Sequence, residues 1–390
     1  MPGPKGWEPD DAPLLGGDVP LRPMSISEMM DGAIAGIRRH PRAALGISVA
    51  VTTVIQVIGS LTAYYLVGPE ASGGVTRSRF WQEVGTQLWL GALGMTLSAY
   101  GIVLMSGFLG PVLGRSMFER PASLRQAWRD TRPRLGRLAA VSAVIILAAL
   151  LGLVLPLAPF ALLVVTEQHP ALTVLAGVIA IPAGIALMVW LYILLVLAGP
   201  AVVLERQTFT GALRRATALS RGRWWRTCGT LLLTMMITFF MGFFALRIPF
   251  LVVDMIFFDR DPHGVELVLK IALDTVGRIV SWSVVVPFDA GVIALLYFDR
   301  RMRREGLDLE LRTRPAESPV PAPEPVPAAA DGAPAGVDGG SAGADGAEDD
   351  GFFDLWRPSP LIAVRHSPHG HPAGAAPPGA SPYPGAPYDH

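Results

Sequence analysis

The residue with the most chemical leverage in this sequence is Asp289, which stands inside an apolar run over residues 279 to 298, two positions after Pro287. A carboxylate at bilayer depth is costly unless it is protonated, paired or hydrated, so such groups turn toward the interior of a helix bundle and often mark a pathway. Pro287 lacks an amide donor and loosens the helix beside it. The competing reading is a structural contact with the freed backbone or with Ser281 or Ser283 on the same helix. Gln56, in the run from 43 to 67, is a second intramembrane polar group and a candidate interhelical hydrogen-bond donor.

Other chemistry is hard to assemble. Hydrolytic or metal-dependent catalysis needs convergent His, Cys, Asp or Glu, or a nucleophile beside its base. Of the seven histidines, His40 lies in a basic segment, His169 and His263 lie in turns, and four lie near the end of the chain, where His366, His369 and His371 make only a weak ligand set. There is no GxGxxG, P-loop, GxSxG or HExxH string. Cys228 is the only cysteine, which rules out an intrachain disulfide and a thiolate cluster. The expectation is therefore no catalysis, no cofactor, no metal and no nucleic-acid partner.

The elements that hold these residues are set by hydrophobicity. Hydrophobic residues make up 51% of the chain and charged ones 16%, and the apolar residues fall into runs at about 43–67, 85–109, 138–165, 171–200, 227–253 and 279–298. Each is long enough to cross about 30 Å of hydrocarbon as a helix. Helices are expected because a spanning segment must satisfy its own backbone. The predicted fold class is all-α, a polytopic membrane protein of about six transmembrane helices, with a disordered segment at 1–24, the membrane domain at 25–311 and a tail at 312–390.

Arginines orient the spans. They cluster before the first span (Arg38, Arg39, Arg42), between the second and third (Arg115 to Arg137), between the fourth and fifth (Arg206 to Arg226) and after the sixth (Arg300, Arg301, Arg303, Arg304). The intervening loops are neutral or acidic, so the positive-inside rule places both termini in the cytoplasm.

Three times an amphipathic, arginine-bearing stretch runs into a span: SISEMMDGAIAGIRRHPRAALG from Ser25, SLRQAWRDTRPRLGRLAAV from Ser123 and TGALRRATALSRGRWWRTCGTLLL from Thr210. Each opening hydroxyl is a candidate N-cap. Gly110-Pro111 and Gly199-Pro200 lie 89 residues apart, with Pro287 a further 87 on. This spacing predicts three repeats of an interfacial helix plus a helical hairpin. Arg129, Arg134, Arg214, Arg215, Arg221 and Arg223, with Trp224 and Trp225, are candidates for binding lipid headgroups. The plainer alternative is that these clusters only set topology.

Residues 1 to 314 carry 30 basic and 22 acidic side chains, a net +8, whereas residues 315 to 390 carry 2 and 10, a net −8. The acidic segment is rich in Pro, Ala and Gly and is expected to be disordered. It holds one apolar island, FFDLWRPSPLIAVRH from Phe352, whose Phe352, Phe353, Leu355 and Trp356 are candidates for docking in a protein partner's groove.

The stretches PAVVLERQTFTGALRRATALSRGRWWRTCGTLLL (200–233) and LLYFDRRMRREGLDLEL (295–311), with the opening from Ser25, give the chain a resemblance to the bacterial membrane-domain family named after glycerophosphoryl diester phosphodiesterases. Some members of that family carry a soluble catalytic barrel after this domain. The 76 residues after position 314 are too few for such a barrel, and its HRG string is missing. The resemblance implies a stand-alone domain of the bacterial plasma membrane without the family's namesake activity.

Overall fold

The structure, a computed structural model, describes residues 24–67, 77–117, 122–166, 169–258, 264–306 and the single positions 352, 353 and 356. Its regular elements are helical throughout the described residues. In chain order they are α1 (Ile26–Arg39), α2 (Pro41–Val67), α3 (Arg77–Met117), α4 (Leu124–Thr131), a 3-10 turn (Arg132–Arg134), α5 (Leu135–Val165), α6 (Pro170–Leu195), α7 (Ala198–Leu204) and α8 (Phe209–Ser220). Then follow α9 (Trp224–Phe239), a π-helical stretch (Phe240–Arg247), α10 (Ile248–Phe257) and α11 (Val265–Glu305). Among the described residues six segments are long and apolar enough to cross a membrane: Pro41–Thr62, Trp89–Met117, Leu124–Val165, Pro170–Leu204, Trp224–Phe257 and Val265–Glu305.

The short helices begin where a hydroxyl cap is available. Ser25 accepts from the Glu28 amide at 3.2 Å while Glu28 accepts from the Ser25 amide at 2.6 Å, closing a capping box. Ser123 caps α4 through the Gln126 amide. The third cap is a correction to the sequence reading: Thr208, not Thr210, sits in extended backbone and accepts from the Gly211 amide, so α8 starts one residue before Thr210. The spans also run further than their apolar cores. α11 is 41 residues long and takes in Lys270, Asp274 and Arg278, because charged residues at the ends of a span do not break its backbone ladder.

The core gathers around α11, whose residues from Val285 to Met302 are almost all buried. Close approach depends on glycine at the centre. A Cβ on Gly199 would lie 2.7 Å from Ser106 Oγ and 3.0 Å from the Val103 carbonyl, and one on Gly110 would meet Leu204 at 3.3 Å. The two Gly-Pro segments therefore pack against each other where α3 meets α7. Several hydroxyls inside the spans are satisfied locally or across helices: Thr52 and Ser281 donate to carbonyls four residues back, and Ser48 donates to the Ser283 carbonyl at 2.9 Å.

The outward faces are apolar. Leu155, Val165, Val178, Met255 and Phe257 are each more than 60% exposed, and the most apolar window of the Trp224–Phe257 span is not buried at all. A belt of this kind has its natural solvent in hydrocarbon.

Candidate functional site

One end of the bundle carries a buried charged circuit. Glu205 stands just past the C-terminus of α7 with its side chain fully buried, and Arg215 Nε of α8 donates to both its oxygens at 2.9 Å. Tyr297 of α11 donates its hydroxyl to the same carboxylate, and Arg301 Nε lies 3.6 Å away. Glu305 closes the circuit, accepting from Arg301 Nε at 3.0 Å and pairing with Arg215. Burial alone would lower the Arg215 guanidinium, but Glu205, Tyr297 and Glu305 outweigh that and hold it above the ordinary arginine value. Two carboxylates face two guanidiniums, so charges taken out of water are balanced where they lie.

A second cluster sits on the same end. Arg115, near the C-terminus of α3, donates from Nη2 to Asp130 of α4 at 3.0 Å, with both side chains at most 5% exposed. Its guanidinium lies 4.3 Å from the centre of the Phe352 ring. Arg206 lies 4.6 Å over Phe353, and Arg301 lies 5.8 Å over Trp356 while donating to the Trp356 carbonyl at 2.9 Å. Trp356 also packs on Phe298 with ring centres 4.9 Å apart. Gly114 makes the seat, since a Cβ there would come within 3.1 Å of Trp356 and 3.3 Å of Phe352.

This changes the reading of the aromatic island. Phe352, Phe353 and Trp356 are at most 2% exposed and dock on their own chain, so the expectation that they fill a partner's groove is corrected. An arginine-lined, glycine-floored recess on α3 and α11 supplies the apolar and cation–π contacts that a partner was expected to give. Leu355 lies outside the described residues, as do the remaining positions of the acidic tail.

The third cluster joins the entry to α1 with the starts of α9 and the end of α11. The Met24 amide donates to Asp299 Oδ1 at 3.0 Å, and the Met24 carbonyl accepts from Arg226 at 2.6 Å and Arg303 at 3.0 Å. Arg303 also donates to Asp299 at 2.8 Å. Arg300 reaches the Arg223 carbonyl at 3.0 Å and the Thr227 hydroxyl at 2.5 Å, and Arg304 holds the Ala218 and Arg221 carbonyls. The segment YFDRRMRRE at the end of α11 is thus the hub to which α1, α7, α8, α9 and the aromatic island are tied.

Around this hub the candidates for headgroup binding divide. Arg129, Arg214, Arg221 and Arg223 are exposed, Trp225 is 82% exposed and Trp224 is half-buried. Arg215 is different: the circuit with Glu205 and Glu305 turns it inward, which corrects its assignment to the lipid-facing set. Arg134 is half-buried, donates to the Asp130 carbonyl at 3.3 Å and lies 5.7 Å from the Phe353 ring. Glu205, Tyr297, Asp299 and Arg300 were absent from the sequence-derived candidates. For Asp299 and Arg300 the available signal is the string DRRMRRE, four arginines closed by an acid at each end; Glu205 and Tyr297 carry no comparable local signal.

Asp289 is 8% exposed and accepts from the Thr238 hydroxyl of α9 at 2.5 Å, two residues before the π-helical stretch. Gln56 is also buried, and the narrow crevice it forms with Thr52, Ser98 and Trp282 leaves no room for a water molecule. The structure does not bring Gln56 and Asp289 into a shared hydrogen bond among the described contacts.

The fold and its belt define a polytopic, all-helical membrane protein with one strongly basic end. Compared with known proteins, the chain matches no family model, no curated protein and no solved structure. The functional reading therefore rests on the residues.

Proposed function

We propose that this chain is a non-catalytic membrane module of the bacterial plasma membrane, with its basic end and both termini in the cytoplasm, that engages anionic lipid headgroups. The observation that carries this reading is the separation of two arginine populations at one end of the bundle. Buried arginines build the scaffold, while Arg129, Arg214, Arg221 and Arg223 stay exposed beside the outward Trp128 and Trp225. Guanidiniums in this position pair with lipid phosphates while indoles occupy the headgroup boundary, each cation contributing about 1 kcal/mol near an anionic surface. The recurrence of a short capped helix before a pair of longer apolar segments supports a three-unit repeat: α1 before α2 and α3, α4 before α5 and α6, and α8 before the α9–α10 segment and α11. The resemblance to the glycerophosphodiesterase membrane-domain family agrees with a membrane module, and the enzymatic name is not carried over.

The test is lipid selection. The protein would be purified with native lipid and then reconstituted with mixed phosphatidylcholine and phosphatidylglycerol, and the bound lipid counted. The quadruple variant R129Q/R214Q/R221Q/R223Q should lose most of its enrichment in phosphatidylglycerol. Equal enrichment in the variant and the parent protein would end the proposal.

A second reading, transport of a small molecule or lipid, is favoured by the Asp289–Thr238 contact beside a π-helical stretch, since such bulges recur at functional sites. It requires D289N to abolish uptake or lipid movement in vesicles that contain the protein.

A further inference from the structure

We propose that the first turn of α9, together with Arg300 at the end of α11, forms a binding site for one phosphate group. Arg300 is fully buried, yet only its Nη2 is engaged, with the Arg223 carbonyl and the Thr227 hydroxyl. Its Nε and Nη1 are buried without an acceptor, and so are Nε of Arg226 and the indole Nε1 of Trp224. Four donor nitrogens from two adjoining helix segments are thus held away from water with nothing among the described residues to receive them. Buried donors are normally satisfied, and an orphaned donor on a cation is the costliest kind.

Charge points the same way. The charges acting on Arg300 come from Asp299, Arg226, Arg223 and Arg303, which sets one carboxylate among four guanidiniums. The circuit around Glu205 is balanced; this one is not. One acceptor of the cluster, Asp299 Oδ2, is also buried without a partner, but a single carboxylate oxygen cannot serve four donor nitrogens, so an anion with several oxygens fits the surplus.

The backbone adds to the donor set. α9 is 16 residues long, and its N-cap, Arg223, makes no side-chain cap, in contrast to the Ser25, Ser123 and Thr208 caps of α1, α4 and α8. The first amides of a helix have no intrahelical partner and lie at the positive end of its dipole, a setting that suits phosphate. Arg223 and Gly222 are exposed and Arg226 is half-buried, so the site opens at the Arg221–Gly222–Arg223 turn with Arg300 as its floor. Trp225 stands at that mouth, edge-on to Trp224 with ring centres 4.8 Å apart. The group bound is a phosphate oxyanion, from either a lipid headgroup or a free phosphate. The lipid source rests on the headgroup reading above; the free source does not.

Both sources are tested on the intact protein in nanodiscs. In pure phosphatidylcholine discs, inorganic phosphate is titrated against tryptophan fluorescence and heat release. In discs doped with phosphatidylglycerol, lipids retained after stringent washing are counted by native mass spectrometry. R226Q should weaken binding about tenfold or more, the cost of a lost charge-assisted bond. W224F, which removes the indole donor and leaves a smaller aromatic ring in its place, should weaken it several-fold. R300Q should abolish it, and W224F keeps the test decisive if R300Q fails to fold. R278Q, at the opposite end of α11 and outside both the site and the exposed headgroup-facing arginines, should leave it unchanged. Saturable phosphate binding with this pattern supports the proposal with a free anion as ligand. One retained phosphatidylglycerol, lost in W224F and R226Q, supports it with a headgroup. No binding in either arm, or binding that W224F and R226Q leave intact and only R129Q/R214Q removes, overturns it. Loss of bulk anionic-lipid enrichment as a property of the exposed arginines would leave the W224F and R226Q effects standing, so the two proposals fail separately.

Discussion

The two ends of α11 carry the same kind of sequence and reach different physical outcomes. At the first end, Asp274 receives both Arg247 and Arg278, and Lys270 lies 3.8 Å from Asp254. At the other, Asp299 pairs with Arg303 and Arg301 with Glu305 at the same four-residue spacing. The first set is 16 to 40% exposed, whereas Glu205 and Arg301 in the second are at most 1% exposed. Water screens the first set, so its pairs are individually weak. In the second set the packing of α7, α8 and the aromatic island removes water, and each partner becomes obligatory for the others. Charge periodicity along a helix therefore sets which groups meet, and the elements packed over them decide what the meeting is worth.

The largest effect should come from breaking the buried side of this contrast. E205Q leaves Arg215 and Arg301 short of a counter-charge and should destabilise the protein by about 3–5 kcal/mol in detergent unfolding. A loss below 1 kcal/mol would place Glu205 with the exposed pairs and erase the contrast. W356A should cost about 3 kcal/mol as a truncated core aromatic, and should make the chain near residue 352 sensitive to protease. G114A is gentler, because its methyl meets the Trp356 and Phe352 rings at the distances of a tight contact. It should cost about 1 kcal/mol and shift Trp356 fluorescence, with no change at the far end of α11. D274N, at that far end, should cost less than about 1 kcal/mol, and high salt should shrink the difference further.

The smallest expected effect is on pH. Burial, with Arg39 beside it, lowers the His40 pKa from 6.5, so the unfolded chain takes up a proton at a higher pH than the folded one. Stability from this group is complete above about 6.5 and falls as pH drops from there toward the folded value. The melting temperature should decline over that window, and H40Q should flatten the decline.

Much of the architecture was legible because hydrocarbon imposes simple demands. The apolar runs at 43–67 and 138–165 emerge as α2 and α5, starting two and three residues earlier and ending at the same positions. Capping chemistry gave Ser25 and Ser123, and missed Thr208 because two threonines stand two positions apart and only backbone geometry distinguishes them. Asp289 was legible as buried; its partner Thr238 was not, since pairing across 51 residues depends on which helix faces meet. The arginines were legible as a group but not one by one. Arg214 and Arg215 are neighbours in sequence, yet one is exposed and the other locked to Glu205, because a step of one residue turns a helix by about 100°. The seat for Phe352 and Trp356 could not be read at all, since it is assembled from Gly114, Arg115 and Arg301, which nothing in local sequence connects.

The two ends of α11 should face opposite aqueous compartments. With Cys228 replaced by serine, single cysteines at Arg129, Arg214 and Arg304 and at Met255 and Val265 would be labelled in sealed, right-side-out vesicles with a membrane-impermeant maleimide. Positions 255 and 265 should label from outside, while 129, 214 and 304 should label only after the vesicles are opened. Labelling of 129 or 214 in the same sealed vesicles that label 265 would contradict this arrangement.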